Sequence, residues 1–517
     1  MTESICVRLS DLFAGLGDCR FLGSSETLVR GLSYRSDEVV DGCLFFCVPG
    51  FVRDGHDFAP GAVERGAVAL CVERPLDLPV PQVIVSSVRE AMGPVAAAFY
   101  GHPTSQLRTA GITGTNGKTT SAFLVAHLLD EAGLRAGLLG TIERRVGGVA
   151  ASTARTTPEA IDVQRDMASM IRAGDYAMVM EVSSHALDLG RVLGTQFHVV
   201  AFTNLTQDHL DYHKTLESYF ATKQRLFTDP RLTSSGTSAV INIDDSYGRR
   251  LAQEYPSERL LTCSSASGGG VEADLVMRDY VIDATGSRGT LVVRGNALRY
   301  VGGGGASGGR SEKHFKVATH LVGAFNVANT LTALGIGLGL GLDIEQMLVA
   351  LERFPGVPGR MESVHVGQPF AVLVDYAHTP DSVRNVLETA RAITTGRLLA
   401  VLGCGGDRDG GKRPCMGREA EALADKVFIT SDNPRTEDPE AIIRDILGGM
   451  VVPAAAVVEA DRRRAIAAAL MEARPGDVVL LLGKGHESGQ EFADRVIPFD
   501  DRLVAREVLE GLHGVGR

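Results

Sequence analysis

Short apolar runs, separated by turns rich in glycine, proline and polar residues, recur along the chain. In the first hundred residues such runs cover 43–48, 67–72 and 82–85. Apolar runs of this length between turn residues predict β-strands. We therefore predict a small mixed α/β domain over residues 1–104.

The next part of the chain opens with a strand, a glycine-rich turn and a helix. The apolar run 107–112 leads into the sequence TGTNGKTT at 113–120, and apolar residues at helical spacing follow. Three more apolar runs predict strands of the same sheet: 176–180, 198–205 and 239–242. This pattern predicts a central P-loop mononucleotide-binding domain with a mainly parallel sheet over residues 105–353.

Beyond residue 353 the alternation becomes regular. Strand-like runs at 370–374, 397–402, 427–430 and 478–482 alternate with helical segments such as 461–473. Such alternation predicts a Rossmann-like parallel sheet covered by helices, here over residues 354–517. Polar clusters follow all four strands, at the sheet edge where ligands bind in this class of fold. The sequence thus predicts an α/β protein of three domains with a site in the last one.

The turn at 113–120 has the composition of a phosphate-binding loop. Gly114 and Gly117 permit a backbone that side chains would block, so amide groups can point at an anion. Lys118 adds a cation, and Thr119 can offer its hydroxyl to a Mg²⁺ carried by a nucleotide. Strict P-loop spacing would require glycine where the chain has Ile112, so a chance GKT in an irregular loop is the alternative. The strand–helix context favours an ATP site near residue 115.

Composition excludes several classes of function. The 517 residues are 44% apolar and 22% charged, with no run near the ~18 apolar residues of a membrane span. The chain start lacks a signal-peptide pattern, so we expect a cytoplasmic protein without membrane insertion. The eight cysteines form no C-x-x-C pair, which indicates reduced thiols. A net charge of −11 disfavours a nucleic-acid partner.

Three further features of the central domain could carry chemistry. Glu181 ends an apolar run, where a carboxylate suits a Mg²⁺ ligand. Two histidines and two aspartates fall within residues 208–213, and Lys223 lies in a helical segment. Each feature also has a structural interpretation: a capping carboxylate, a polar loop and a solvated lysine, respectively.

Together the motifs resemble the Mur ligases of peptidoglycan synthesis, specifically those of the MurE type. The resemblance covers nearly the whole chain and is carried by TGTNGKTT at 113–120, TTP at 156–158, EVSSHAL at 181–187, FTNLTQDHLDYH at 202–213, GAFNVAN at 323–329, PGRME at 358–362, DYAHTPD at 375–381, GCGGDRDGGKRP at 403–414, DNPR at 432–435 and GKGHE at 483–487. The N-terminal domain departs from the family pattern, because only Ser36, Val39 and Gly42 of the usual uridine-site motif remain.

The resemblance implies a role for individual residues. The ATP-binding residues would be Gly114, Thr115, Asn116, Gly117, Lys118, Thr119, Thr120, Asn326, Arg360 and Asp375. The metal ligands would be Thr119, Glu181, His209 and Lys223, the last as N6-carboxylysine, and Lys118 would join Glu181, His209 and Lys223 in catalysis. The muramoyl dipeptide would contact Ser36, Thr156, Thr157, Ser183 and Arg191. The third amino acid would contact Arg408, Asp432, Asn433, Arg435, Gly483 and Glu487.

The implied reaction is ATP- and Mg²⁺-dependent amide formation through an acyl phosphate. The substrates would be UDP-N-acetylmuramoyl-L-alanyl-D-glutamate and a diamino acid, bound by a monomer. Arg408 and Arg435 suit the distal carboxylate of meso-diaminopimelate, which lysine and ornithine lack. The alternatives are the same reaction with L-lysine or L-ornithine, another ligase of the Mur or folylpolyglutamate synthetase class, a nucleotide-binding regulator without catalysis, and a kinase or motor ATPase.

Overall fold

The computed structural model of the chain describes residues 5–50, 53–153, 155–208, 210–255, 258–266, 272–283, 286–301 and 312–514. Its three main sheets follow one another along the sequence, and helices pack against each of them. Of the six apolar clusters formed by the described residues, five each lie mainly on one face of one sheet, as expected of layered α/β units. The predicted α/β fold class with three domains is confirmed.

The first sheet contains five described strands. In spatial order they are Cys19–Leu22, Gln82–Val85, Ala67–Val72, Cys43–Phe46 and Gly31–Ser33, and only the first pairing is antiparallel. A small ribbon pairs Val7–Arg8 with Leu28–Val29. The helices of this part are Leu9–Phe13, Ala59–Glu64 and Val88–Phe99, with 3-10 turns at Ser36–Glu38, Gly55–Phe58 and Pro103–Ser105. Ser87 caps the longest helix by accepting the Glu90 amide.

The central sheet contains eleven described strands. In spatial order they are Val149–Ser152, Glu143–Val146, Ala136–Leu139, Ala177–Glu181, Arg108–Thr113, Val199–Phe202, Ser238–Asn242, Leu260–Ser264, Leu275–Asp283, Gly286–Val293 and Lys313–Thr319. The strands from Ala136–Leu139 to Leu275–Asp283 pair in parallel, and the two at each edge pair antiparallel. The P-loop strand Arg108–Thr113 lies inside the parallel part, so its carboxyl end meets those of its neighbours.

Helices cover both faces of this sheet. They are Lys118–Glu131, Ala160–Ala173, Ser184–Asp188, Leu210–His213, Leu216–Thr228, Ser246–Glu254, Ala324–Leu340 and Ile344–Arg353, and a 3-10 turn spans Gly295–Tyr300. The predicted strand 198–205 is too long, because the observed strand ends at Phe202. Thr203 and Asn204 instead turn toward the P-loop, where both side chains donate to the Asn116 carbonyl.

The C-terminal sheet has six described strands. In spatial order they are Glu362–Ser363, Ala371–Asp375, Val478–Leu482, Leu398–Leu402, Lys426–Ile429 and Val457–Val458, all parallel except the first pair. The helices are Pro380–Ile393, Lys412–Leu423, Pro439–Leu447, Arg462–Glu472 and Asp501–Gly514, with a 3-10 turn at Pro453–Ala455 and a ribbon of Gly489–Glu491 and Val496–Pro498. The predicted strand 478–482 is confirmed without change of bounds. The boundaries at 104/105 and 353/354 stay predictions.

Candidate active site

The glycine-rich turn joins the strand Arg108–Thr113 to the helix Lys118–Glu131. Gly114 and Gly117 both have positive φ, of 147° and 86°. A Cβ at Gly117 would overlap Asn329 Oδ1, so this position requires glycine for close approach as well as for its backbone angle. Thr119 and Thr120 are buried in the first turn of the helix. The turn therefore has the strand–loop–helix geometry of a phosphate site.

Two lysine ammonium groups converge on one carbonyl of this turn. Lys118 Nζ donates to Gly114 O at 2.9 Å and to Thr115 O at 2.8 Å, and Lys223 Nζ donates to Gly114 O at 2.7 Å. Burial lowers the pKa of Lys118 and lowers that of Lys223 well below its usual range, where the charge of Lys118 adds to the effect. A lowered pKa favours the neutral amine, which is the form that reacts with CO₂, and the carbamylation of Lys223 stays a prediction.

The carboxylate of Glu181 is fully buried beside the P-loop. Its Oε2 accepts from Thr119 Oγ1 at 2.9 Å and from Thr141 Oγ1 at 3.0 Å, and its Oε1 accepts from the Thr141 amide at 2.7 Å. Thr141 Oγ1 also lies 3.1 Å from Thr156 Oγ1. The sequence reasoning missed Thr141, although it follows the strand Ala136–Leu139 at the same edge of the sheet.

Three residues predicted to contact the muramoyl dipeptide lie next to Glu181. Thr157 Oγ1 donates to the Glu181 carbonyl at 2.8 Å and accepts from the Ser183 amide at 3.1 Å. Arg191 pairs with Glu159 at 3.0 Å, and its NH1 donates to the Thr157 carbonyl at 3.4 Å. Burial lowers the pKa of Arg191. The structure thus brings these predicted residues to the edge of the sheet that holds the P-loop.

The residues predicted to contact the nucleotide base and terminal phosphate come from two domains. Asn326 Nδ2 donates to Val322 O at 2.8 Å, and Asn326 Oδ1 accepts from Asn329 Nδ2 at 3.0 Å. Burial raises the pKa of Asp375, although the Arg360 guanidinium and the Met361 and Ala377 amides oppose this effect.

Arg360 stacks on an aromatic ring at the edge of the C-terminal sheet. Its guanidinium lies 4.7 Å from the centre of the Tyr376 ring. Its buried Nε has no hydrogen-bond partner in the described part of the chain. A buried donor in this position suits an anionic ligand.

The polar turns of the C-terminal domain form a second cluster. Asn433 Nδ2 donates to Glu487 Oε2 at 2.7 Å, and Gly483 packs against the Asp432 carboxylate. Arg435 has φ of 51°, and its guanidinium donates to Glu491 Oε2 at 2.8 Å and Gly406 O at 2.7 Å. These contacts hold a conformation that non-glycine residues rarely adopt.

A cavity of about 1130 Å³ separates the central and C-terminal domains. Of the predicted site residues, its lining includes Thr156, Arg408, Asp432, Asn433, Arg435, Gly483 and Glu487. The described lining does not include Lys118, Glu181 or Lys223. Thr141 does line the cavity, and its amide donates a hydrogen bond to Glu181. Asp381 joins the two walls, since its Oδ2 accepts from Thr206 Oγ1 at 3.1 Å and Asn116 Nδ2 at 3.3 Å.

One predicted site residue lies away from this arrangement, and a second lies outside the described residues. Ser36 begins a 3-10 turn in the N-terminal domain and does not line the cavity defined by the described residues. His209 lies outside the described residues. Among the described residues, no group of three or more histidine, cysteine, aspartate or glutamate side chains is placed to hold a metal ion. None of the described helices has the length and hydropathy to cross a bilayer.

The sequence matches three family models along its length. They are described as "Mur ligase family, catalytic domain" over residues 28–100, "Mur ligase middle domain" over 112–337 and "Mur ligase, glutamate ligase domain" over 359–485. The P-loop and Glu181 fall within the second match, and the 432–435 turn within the third.

Individual relatives are similar over almost their whole length. Proteins named UDP-N-acetylmuramoyl-L-alanyl-D-glutamate--2,6-diaminopimelate ligase are 47% identical in Synechococcus elongatus (94% of each chain) and 43% identical in Aquifex aeolicus (95% of each). A solved structure of the same name is 31% identical, with a TM-score of 0.69 and coverage of 98% of this chain and 99% of that one. MurF from Thermotoga maritima in complex with ADP has a TM-score of 0.60 at 18% identity, covering 94% and 97%, which shows a shared fold.

Proposed function

The chain belongs to the Mur ligase family, and we propose that it adds meso-diaminopimelate to UDP-N-acetylmuramoyl-L-alanyl-D-glutamate with conversion of ATP to ADP and phosphate. The observation that carries this proposal is the cavity between the central and C-terminal domains. One wall leads through Thr141 to Glu181 and the P-loop, and the other holds the charged turns at 432–435 and 483–487. An ATP-dependent ligase needs this meeting of a phosphate site with an amino-acid site.

The chemistry of the P-loop residues fits this reaction. The glutamyl carboxylate oxygen would attack the γ-phosphorus of ATP, with ADP leaving, and the incoming amine would then attack the acyl carbon and expel phosphate. Lys118, which already donates to two loop carbonyls, would neutralise charge on the transferred phosphoryl group. The helix that begins at Lys118 would direct its first amides at the same group.

The donor set near Glu181 fits Mg²⁺. Thr119 and Glu181 offer a hydroxyl and a buried carboxylate 2.9 Å apart, which are oxygen ligands that this ion prefers. A carbamate on Lys223 would replace an ammonium by a second anionic ligand, and His209 is the remaining predicted ligand. Bound Mg²⁺ would neutralise phosphate charge. An intact mass heavier by one CO₂ in wild type, and not in Lys223→Arg, would support the modification.

The choice of third amino acid rests on charge and on the relatives. Arg408 and Arg435 line the cavity near Asp432 and Glu487. A guanidinium binds the distal carboxylate of diaminopimelate, whereas lysine and ornithine end in an ammonium alone and would lose roughly 1.5–3 kcal/mol, or about tenfold to a hundredfold. The relatives named above as 2,6-diaminopimelate ligases support the same choice. Such a protein would act in the cytoplasm, in the synthesis of peptidoglycan precursors.

The test is phosphate release from ATP with a panel of amino acids. Release should require both UDP-muramoyl dipeptide and amino acid, and meso-diaminopimelate should exceed L-lysine and L-ornithine at equal concentration. Faster turnover of lysine or ornithine would reassign the third amino acid. Turnover of a folate substrate in place of the dipeptide would assign a folylpolyglutamate synthetase, and no release with any pair would favour a regulator.

A further inference from the structure

Lys484 is a buried lysine in the middle of the cluster of polar turns, and none of the roles assigned above involves it. Its side chain is 0% exposed. Its Nζ donates to Asn433 Oδ1 at 2.9 Å, Glu487 Oε2 at 3.2 Å and Asp432 Oδ1 at 3.3 Å. One ammonium therefore links the 432–435 turn to the 483–487 turn.

We propose that Lys484 sets the charge of the amino-acid site and so determines its preference for diaminopimelate over lysine. This inference rests on the proposed function. Lys484 would act through Asp432, Asn433 and Glu487 rather than by touching the substrate, which makes it a positioning and specificity-determining residue.

The burial of Lys484 is expensive for a residue that only stabilises the fold. Removing an ammonium from water costs several kcal/mol, and ion pairs in protein interiors can often be replaced by apolar groups without loss of stability. The same domain contains an example of a buried pair with full compensation, because Arg462 makes two hydrogen bonds to Asp501. Lys484 instead is shared between two carboxylates, so the group of three keeps one negative charge.

That remaining charge is directed by the hydrogen bonds of Glu487. Its Oε2 accepts from both Asn433 Nδ2 and Lys484 Nζ. Within the described part of the chain no hydrogen bond reaches its Oε1, and the side chain is 32% exposed where it lines the cavity. Lys484 thus fixes one carboxylate oxygen and leaves the other for a ligand.

The neighbouring cations complete the charge count. Arg462 is paired with Asp501 and Arg435 with Glu491, whereas Arg408 is exposed and lines the cavity. Among the described residues the cavity thus presents one net negative group from the two turns and one guanidinium outside an ion pair, beside the Lys412 ammonium that also lines it. The distal end of diaminopimelate, with one ammonium and one carboxylate, matches both, and the distal end of lysine matches only the first.

Removal of the Lys484 charge should shift the substrate preference from meso-diaminopimelate toward L-lysine. In Lys484→Met the carboxylates would carry two uncompensated negative charges, which favour the amino acid with the greater positive charge. We expect the ratio of kcat/KM for meso-diaminopimelate to that for L-lysine to fall about tenfold or more. The KM values for ATP and for the UDP-muramoyl dipeptide should stay within about twofold of wild type.

A second variant makes the site more negative by one charge, as Lys484→Met does, but keeps the buried lysine. Asn433→Asp should lower the diaminopimelate-to-lysine ratio in the same direction and can be measured if Lys484→Met does not fold. Lys484→Arg keeps the charge and should keep the preference. Lys426→Met is the matched control, because this lysine of the same domain also forms an ion pair, with Glu472 at 2.8 Å, but does not line the cavity. Its ratio should equal that of wild type.

The outcomes separate this inference from the proposed function. A ratio that stays at the wild-type value in Lys484→Met and Asn433→Asp, with both activities reduced in proportion, would overturn the inference and leave Lys484 a purely structural residue. Wild-type enzyme that releases no phosphate with meso-diaminopimelate would overturn the proposed function instead, whatever the variants do.

Discussion

The central domain meets the N-terminal domain through backbone packed on backbone, whereas it meets the C-terminal domain through side-chain hydrogen bonds. At the first joint, a Cβ at Gly93 would overlap the Leu193 carbonyl, and one at Gly194 would overlap the Gly93 carbonyl. At the second joint, Asp381 accepts from Asn116 and Thr206. The backbone packing at the first joint permits one geometry, whereas water molecules can replace the hydrogen bonds at the second joint.

Apart from the linker residues Phe354 and Val357, which join the apolar core of the central domain, the apolar contacts differ in the same direction. Ala160 and Ile161 of the central domain are fully part of the apolar core of the N-terminal domain. From the other side of the central domain, Phe325 is only partly buried against the C-terminal core. Close-packed interfaces resist continuous deformation, while small polar ones allow domain motion. We therefore expect the first two domains to move as a unit and the C-terminal domain to open and close the cavity.

The largest expected effect comes from a side chain placed in the close-packed joint. Gly93→Val would force two backbones apart and should lower the free energy of unfolding by about 3 kcal/mol. Thermal and denaturant unfolding measure the loss. Gly17→Val is the control, because a Cβ at Gly17 meets nothing within 4 Å. Equal stability of the two variants would contradict the close-packed interpretation.

The polar joint should affect activity more than stability. Asp381→Ala removes two hydrogen bonds across the cavity, each worth about 1 kcal/mol, so kcat/KM for ATP should fall about thirtyfold if closure precedes chemistry. The unfolding free energy should fall by less than about 1 kcal/mol, because water can replace the two bonds and the folded chain loses only the favourable position of the carboxylate in the first turn of its helix. Glu388→Ala, an exposed carboxylate on the same helix, is the matched control and should retain wild-type kinetics. An unfolding loss as large as that of Gly93→Val would remove the distinction between the joints.

A double-mutant cycle sharpens the assignment of that kinetic effect. Thr206→Val deletes one hydrogen-bond donor to Asp381. The decrease in kcat/KM for ATP in the double variant should therefore be smaller than the two single-variant decreases combined. We expect a coupling of about 1 kcal/mol in kcat/KM for ATP, close to one hydrogen bond. Full additivity would mean that the two residues act separately and that the bond does not hold the cavity closed.

Sequence patterns predicted the features that depend on residues close together in the chain. The strand at 478–482 and the P-loop follow from apolar runs and glycine positions, which are local signals. The sequence patterns did not identify Lys484, Thr141 and Asp381, because each has decisive partners that are distant in sequence. Lys484 lies 52 residues from Asp432, and Asp381 lies 265 from Asn116. A lysine in a GKGHE turn looks solvated until the neighbouring turn is placed beside it.

The length of the strand Val199–Phe202 shows how tertiary contacts override a local sequence pattern. Apolar character alone extends the predicted strand to Leu205, yet Thr203 Oγ1 donates to the Asn116 carbonyl at 2.6 Å and ends the pairing at Phe202. The contact forms because strand and P-loop end at the same edge of the sheet. Sequence reasoning could place both ends there but could not show which side chain joins them.

The smallest expected effect tests whether polar contacts matter at the close-packed joint. Tyr34 of the N-terminal domain donates its hydroxyl to Asp162 Oδ2 at 2.8 Å, and burial and this carboxylate raise the pKa of Tyr34. Tyr34→Phe should lower the unfolding free energy by about 1 kcal/mol at pH 7 without changing kcat/KM. The matched control is Tyr176→Phe, since Tyr176 is 37% exposed.

The difference in unfolding free energy between wild type and Tyr34→Phe should depend on pH, and its direction follows from the raised pKa of Tyr34. Because the pKa of Tyr34 is higher in the folded than in the unfolded chain, its contribution is complete below the ordinary tyrosine pKa of about 10 and declines as the pH rises above it. Denaturant unfolding from pH 7 to 11 should therefore show wild type and Tyr34→Phe converging at the alkaline end. A gap that widens with pH would mean that the hydroxyl is not a buried donor, and a fall in kcat/KM would mean that the first joint also moves during turnover.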